Sequence, residues 1–381
     1  MIKPILPGAT LGVLGSGQLG RMFTLAAARM GYHVHVYSPG RQTPAGEVAT
    51  QEHSAPYEDT QALTAFARQV EVVTFEFENV PSSVCEVIEK YARVAPSGNV
   101  FHICQNRLRE KSTLRGSGLP VPDFLAVRSL QELQAGLKII GCPAVIKTSS
   151  SGYDGKGQAV IRSAEDLTSA WDSLSTDEAI LEQLVDFDSE ISVIGARNPQ
   201  GDVAFFRPFH NTHRSHILDI TLCPAALPQS VEDNAIEISR HVLEQLNVTG
   251  VLCVELFVKR DGSLLINELA PRPHNSGHLT IDAHSTCQFE QQVRAICGLP
   301  LGSVRQLSAA AMANVLGDLW QPAVPDWSAL AADGEARLHL YGKKNPGMGR
   351  KMGHITALGP TTSAARELVL AARDRLQNHN P

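Results

Sequence analysis

Residues 251–278 constrain this chain more than any other stretch. They read VLCVELFVKRDGSLLINELAPRPHNSGH. Two apolar runs, 251–258 and 263–266, flank Lys259-Arg260-Asp261-Gly262, and Asp-Gly between β-type runs predicts a hairpin. Glu255 lies inside the first strand, and Asn267 and Glu268 sit just past the second. Two carboxylates and an amide therefore converge near one end of the hairpin. An acid in an apolar strand is expensive unless a positive group pairs with it. Hard oxygen donors so arranged suit magnesium, which is commonly held by one or two carboxylates plus substrate phosphates. An amphipathic hairpin with its acids in water would show the same pattern. The next loop, Pro271-Arg272-Pro273-His274-Asn275-Ser276-Gly277-His278, is irregular and rich in donors. Anion-binding groups beside cation-binding groups predict a magnesium–nucleotide site with a second anionic substrate next to it.

Upstream, residues 10–14 read as a short buried strand that runs into Gly15-Ser16-Gly17-Gln18-Leu19-Gly20 and a helix at 21–30. Strand, glycine loop, helix and a second strand at 33–37 open a doubly wound α/β domain. The glycine spacing lets backbone amides approach an anion at the helix start. A dinucleotide fold would end its second strand on an acid that holds the ribose. Ser38-Pro39-Gly40 stands there instead, which argues against a nicotinamide dinucleotide. A phosphate or small-substrate loop and a plain tight turn both stay open. A helix at 60–68 precedes a strand at 72–77, VVTFEF. Polar groups at the carboxyl ends of parallel strands face the ligand crevice, so Glu76 is a candidate for a substrate amine, or else a solvated strand end. After the next strand, one helix carries Arg107 and Lys111.

Residues 144–148, AVIKT, form a strand around Lys147, where a buried ammonium needs an anionic partner. Residues 149–158, SSSGYDGKGQ, read as a mobile flap whose amides and lysine close over phosphates, or as a flexible hairpin tip. The Walker spacing with its trailing helix is missing. Residues 180–185, ILEQLV, resemble a linker strand whose backbone reads an adenine edge, with Glu182 and Glu190 near a ribose. His210 and His213 come after strands at 189–194 and 203–208; without further metal ligands, a nucleotide or substrate contact is the expectation.

A strand lysine, a glycine-rich flap, a linker strand with Glu and a final Glu/Asn-Glu hairpin resemble the ATP-grasp superfamily. More narrowly, GSGQLGRM at 15–22, TFEFENV at 74–80, SSSGYDGKGQ at 149–158, NELAPRPHNSGH at 267–278 and GRKMGHIT at 349–356 resemble the 5-(carboxyamino)imidazole ribonucleotide synthase family, ATP-dependent carboxylases of purine biosynthesis. The likeness covers nearly the whole chain. It implies an α/β fold in three parts: a Rossmann-like preATP-grasp domain at 1–106, an ATP-grasp domain at 107–299 and a small β-rich C-terminal domain at 300–381. It implies ATP contacts from Arg107, Lys147, the flap residues Gly152, Tyr153, Asp154, Gly155, Lys156, Gly157 and Gln158, and the linker residues Glu182, Gln183, Leu184 and Val185. Glu190, His213, Asn267 and Glu268 would complete that set, with magnesium on Glu255 and Glu268. The second substrate, 5-aminoimidazole ribonucleotide, would meet Gln18, Glu76, Asp154, Arg272, His274 and Asn275, its phosphate held by Lys344 and Arg350. Lys147, Asp154 and Arg272 would be catalytic, Asp154 orienting the acceptor amine or taking its proton. Bicarbonate would be the co-substrate and a homodimer the assembly. Two departures stand out. The family usually has glycine three residues after the histidine matching His213, where this chain has His216. It usually has Arg-Pro-Gly-Arg-Lys-Met-Gly-His near the C-terminus, where Asn345-Pro346-Gly347-Met348-Gly349 here precedes Arg350.

Composition narrows the alternatives. A net charge of −6 gives no global attraction to nucleic acid or an acidic membrane. Against it, Lys343, Lys344, Arg350 and Lys351 cluster locally, as an anion site or a solvated basic loop. No apolar run approaches membrane-spanning length. Seven scattered cysteines without Cys-x-x-Cys, and no signal-peptide core at the first residues, predict a reduced, cytoplasmic protein. A related ATP-grasp ligase with another acceptor, a dinucleotide oxidoreductase and a non-catalytic nucleotide sensor are the competing readings. Retention of Lys147, Glu255 and Glu268 disfavours the sensor, because a mere binder does not need a complete magnesium site.

Overall fold

The computed structural model describes residues 3–81, 83–150, 155–321, 323–331 and 334–377. It is a mixed α/β chain built on three sheets. The first is parallel, with strands in the order Gln51–Ser54, His33–Ser38, Thr10–Leu14, Val72–Phe75 and Arg93–Val94. Its inner strands are apolar because helices cover both faces. The helix Gln18–Arg29 turns Leu19, Met22, Phe23, Ala26 and Ala27 to the core, the i, i+3, i+4, i+7 stripe of a helix packed on one side.

Three boundaries differ from the sequence expectation for physical reasons. The helix begins at Gln18, earlier than its apolar pattern, because the Glu76 carboxylate from another strand accepts the Gly17 and Gly20 amides at its start. The strand predicted at 72–77 ends at Phe75, which leaves Glu76 beyond it to make that contact. Two helices, Gly98–Cys104 and Arg107–Gly116, replace the single one expected, and the Asn106 side chain caps the second by accepting from Arg109 N–H. The edge strand Gln51–Ser54 has no apolar alternation to announce it.

The second sheet is antiparallel, in the order Phe124–Val127, Ala179–Gln183, Ala144–Thr148 and Gln158–Ile161. The third has nine strands. Its path runs Leu264–Ala270, Gly250–Val258, Ser189–Arg197, Phe209–Arg214, Ile217–Cys223, Ala309–Leu316, Lys351–Gly359 and Ala336–Leu340, with Val203–Phe205 beside Ser189–Arg197. The run AAAMANVL at Ala309–Leu316 has helix-forming alanines, yet it is a strand, flanked on both edges and sealed by Ala365, Val369, Ala372 and Leu376 of the closing helix Thr362–Gln377. Tertiary pairing overrides propensity here. The strands after residue 300 therefore continue the sheet that carries Glu255 and Glu268. Among the described residues, no helix is long and apolar enough to cross a membrane.

Candidate active site

The hairpin forms as its sequence demands, with Gly262 at φ 81 in the turn. Its second strand reaches Ala270, so Glu268 lies inside the strand, not past it, and pairs directly with Glu255. A register shift between Glu255 and Leu256 leaves Asn267 as an extra residue opposite them. A regular strand would send Asn267 and Glu268 to opposite faces; the bulge lets both line the same cavity.

That cavity holds about 350 Å³ and gathers residues from the second and third sheets and from the helix start and loops beyond the first. On one wall stand Glu255 and Glu268. Glu255 Oε1 lies 2.9 Å from His274 Nε2. The Ser276 N–H donates to His274 Nδ1 at 3.4 Å, on the ring edge away from the acid. A chain of buried polar groups holds this ring: His274 Nδ1 to Ser276 Oγ at 2.8 Å, Ser276 Oγ to Ser192 Oγ at 2.8 Å, Asn211 Nδ2 to Ser192 Oγ at 2.9 Å, and Thr221 Oγ1 to Asn211 Oδ1 at 3.1 Å. Burial alone would raise the Glu255 carboxyl, but His274 and His213 outweigh it and hold it at about 2. Burial and the Glu255 charge push the Glu268 carboxyl up, against Arg107, whose guanidinium is 3.6 Å away. Two carboxylates face to face, one resisting ionisation, are what an added divalent cation would relieve. Among the described residues no group of three or more His, Cys, Asp or Glu is placed to hold a metal ion, so a cation on this pair would take its other ligands from substrate and water. The donor set fits magnesium, which keeps several waters and binds phosphate oxygens.

Cationic groups stand beside these acids. Lys147 Nζ lies 2.6 Å from Glu182 Oε2, and Lys111 Nζ lies 3.5 Å from Glu182 Oε1 and donates to the Ile266 carbonyl at 2.8 Å. Burial works to raise the Glu182 carboxyl, but the two lysines bring it down to about 2. Glu182 is 2% exposed and sits outside the cavity lining, behind Lys147, which lines it. Glu110 lies next to Lys111, its carboxyl pushed up to about 8 by burial and the Glu268 charge against the pull of Lys111. Arg107, Glu110, Lys111 and Leu114 fall at i, i+3, i+4 and i+7. A charged group at three of four positions of a buried helix stripe is the sequence signal that marks Glu110 and Lys111 as site residues.

The remaining candidates divide between the cavity and its surroundings. Glu190 and His213 line the cavity 2.6 Å apart, and the carboxylate raises the imidazole against burial. Gln183 and Leu184 spend their amides on the Asp123 and Pro143 carbonyls, and Leu184 and Val185 lead out of the strand. Gly155 and Gln158 line the cavity, Gly157 accepts from the Thr148 amide, and Lys156 is exposed. Gly152, Tyr153 and Asp154 lie outside the described residues. Gln18, Arg272, His274 and Asn275 line the cavity, and both polar side-chain atoms of Asn275 are buried without a hydrogen-bond partner among the described residues. Arg272 pairs with Glu78, holding that carboxyl low against burial. Glu76 is turned to the Gly17 and Gly20 amides. A Cβ on Gly17 would stand 2.7 Å from Glu76 Oε1, so any side chain there would push that carboxylate off the amides it accepts from. Lys351 lines the cavity, and Lys343 contacts Gln18 Oε1 and the Lys351 carbonyl. Lys344 and Arg350 are outside the lining, bonded to Gln42 Oε1 at 2.7 Å and the Asn345 carbonyl at 2.6 Å.

Comparison with known proteins bears on the same cleft. The chain matches the ribonucleotide synthetase preATP-grasp domain over 8–105, the ATP-grasp domain over 112–289 and the phosphoribosylaminoimidazole carboxylase C-terminal domain over 310–368. It is 40% identical to an N5-carboxyaminoimidazole ribonucleotide synthase of Bacillus subtilis over 92% of both chains. It is also 40% identical to a bifunctional purine synthesis protein of Dictyostelium discoideum, of which it spans 37%. A solved N5-carboxyaminoimidazole ribonucleotide synthetase in complex with ADP superposes with a TM-score of 0.93 at 38% identity, covering 99% of this chain and 100% of that one. An Aspergillus clavatus N5-carboxyaminoimidazole synthase holding ADP and 5-aminoimidazole ribonucleotide superposes with a TM-score of 0.87 at 26% identity, over 97% of this chain and 99% of that one.

Proposed function

We infer the work of the cleft from one premise: the chain belongs to the N5-carboxyaminoimidazole ribonucleotide synthase family of ATP-grasp enzymes. It is an ATP-dependent ligase that carboxylates 5-aminoimidazole ribonucleotide with bicarbonate in purine biosynthesis. The observation that ties this chemistry to particular residues is the Glu255–Glu268 pair lining one cavity with Lys147 and with Arg107, whose guanidinium lies 3.6 Å from Glu268.

Glu255 and Glu268 would hold magnesium, which draws charge from the β- and γ-phosphates when bound. Lys147, steadied by Glu182, and Arg107, beside Glu268, would neutralise the same phosphates. Glu190, His213 and Asn267 serve the nucleotide as well. A bicarbonate oxygen attacks the γ-phosphorus and ADP leaves; the resulting carboxyphosphate then gives its carboxyl carbon to the exocyclic amine, with loss of phosphate and one amine proton. Asp154 is assigned to that amine. Arg272, His274 and Asn275 line the acceptor side next to Gln18 and close to Glu76. A homodimer in the cytoplasm completes the reading.

The defining experiment is phosphate release from ATP with bicarbonate, with and without 5-aminoimidazole ribonucleotide, alongside direct detection of the carboxylated product. Product that requires all three substrates is the expected result; product formed without bicarbonate would overturn it.

The acceptor phosphate is assigned to the basic turn at 343–351. Lys344→Ala and Arg350→Ala are each expected to raise KM for the ribonucleotide about tenfold and leave KM for ATP unchanged, as for one charge-assisted contact. An unchanged ribonucleotide KM in both variants would move the phosphate to Lys351 or Arg272, which line the cavity.

A further inference from the structure

The hairpin turn after His213 is built from unfavourable residues. Arg214 pairs with Ile217, so the strands Phe209–Arg214 and Ile217–Cys223 are joined by Ser215 and His216 alone. Their φ values are 50 and 64. Positive φ at both central residues is the signature of a type I′ turn, which favours glycine or asparagine because a larger L side chain crowds its own backbone there. A bulky ring held in such a conformation persists where something else profits from it.

The surroundings of the ring show what profits. His216 lines the cavity together with His213, Glu190, Gly155 and Gln158. Gly155, at φ 77, approaches it so closely that a Cβ on Gly155 would lie 2.4 Å from His216 Cβ and 2.6 Å from its Cγ. Gly155 belongs to the segment that returns into the four-stranded sheet, where Gln158 pairs with Lys147 and the Gly157 carbonyl accepts from the Thr148 amide. His216 belongs to the nine-stranded sheet, three residues from the His213–Glu190 pair. The contact therefore joins the two sheets that wall the cavity, on the side where Lys147 stands.

We propose that His216 is a positioning residue: its imidazole braces Gly155 across the cleft and fixes the spacing of the two walls around the ATP phosphates. The proposal rests on the functional reading above, since it takes the cavity to be the ATP site. A glycine at 216 would satisfy the turn better and leave the Gly155 backbone unsupported, so the ring exchanges local backbone comfort for a set cleft.

The test compares the full chain with His216→Gly and His216→Asn. Both substitutes tolerate positive φ, so both variants fold, and neither carries the ring. Both are expected to raise KM for ATP about fivefold, the equivalent of roughly 1 kcal/mol. Both should leave KM for the ribonucleotide unchanged, increase phosphate released per ribonucleotide carboxylated, and speed amide exchange at 155–158. Unchanged ATP KM and exchange in both variants would overturn the proposal. So would His216→Asn matching the unaltered chain while His216→Gly does not, because the Cβ and Cγ that asparagine keeps, and not the imidazole ring, would then hold Gly155. Failure of the unaltered chain to carboxylate would overturn the functional reading instead, and the exchange comparison at 155–158 would still decide on the brace.

Discussion

Glu268→Gln is expected to lower turnover by more than about a hundredfold and to leave the fold intact. The amide keeps the volume and one oxygen but removes half of the carboxylate charge that holds a cation against the β- and γ-phosphates. The chain should not suffer for it. Glu268 sits directly opposite Glu255, and burial with that neighbouring charge already raises its carboxyl. A raised acid opposes folding at any pH where it is ionised, so neutralising it removes a repulsion. Without nucleotide, the variant should therefore melt no lower than the parent. With magnesium and ATP the order should reverse, because the parent gains ligand binding free energy and the variant gains little. Phosphate release and paired thermal scans measure both halves. Near-normal phosphate release from Glu268→Gln would remove the metal from this pair of acids.

Much of this site can be read along the chain, and the missing part has one physical origin. Glu255, Asn267 and Glu268 declare themselves as neighbours because an Asp-Gly turn folds the two runs into one hairpin; the turn alone would set Asn267 opposite Glu255. The bulge that sets Glu268 opposite Glu255 is not legible, since register shifts depend on the partner strand. The glycine loop is legible as a loop at a helix start. That its amides are taken by Glu76 depends on a strand elsewhere in the chain. Lys147 is legible as a buried charge in need of an acid. A sequence reading gives Glu182 to a ribose, whereas its carboxylate lies between Lys147 and Lys111, because adjacent strands of the sheet bring Val145 and Glu182 into register. The chain from His274 through Ser276, Ser192 and Asn211 to Thr221 is drawn from separate segments of sequence. No local pattern marks it. Local chemistry names the groups that act; long-range pairing decides which groups steady them.

The largest effect on stability is expected at Glu182. Its carboxylate is buried, lies 2.6 Å from Lys147 and 3.5 Å from Lys111, and is held at about 2 by those two ammonium groups against the opposing effect of burial. Lys111 is itself 2% exposed, with the Ile266 carbonyl as its other partner. Glu182→Gln keeps the side-chain volume and leaves the buried Lys111 and the half-buried Lys147 without their shared counter-charge. Removing one member of a buried ion pair costs about 3–5 kcal/mol. The depression of the Glu182 carboxyl from 4.5 to about 2 gives a consistent figure, about 3 kcal/mol of folding free energy. Burial already lowers Lys111 from its ordinary value, so losing Glu182 favours its neutral form and brings the cost toward the lower end. The sign of the shift sets the pH dependence. A depressed acid stabilises the fold fully above its unfolded value, near 4.5, and the contribution disappears as the pH falls toward about 2. Urea unfolding of parent and variant should thus differ by about 3 kcal/mol near neutral pH and converge through that acid window. A neutral-pH difference below about 1 kcal/mol, the range of exposed ion pairs, would mean that Glu182 is not the buried counter-charge of both lysines.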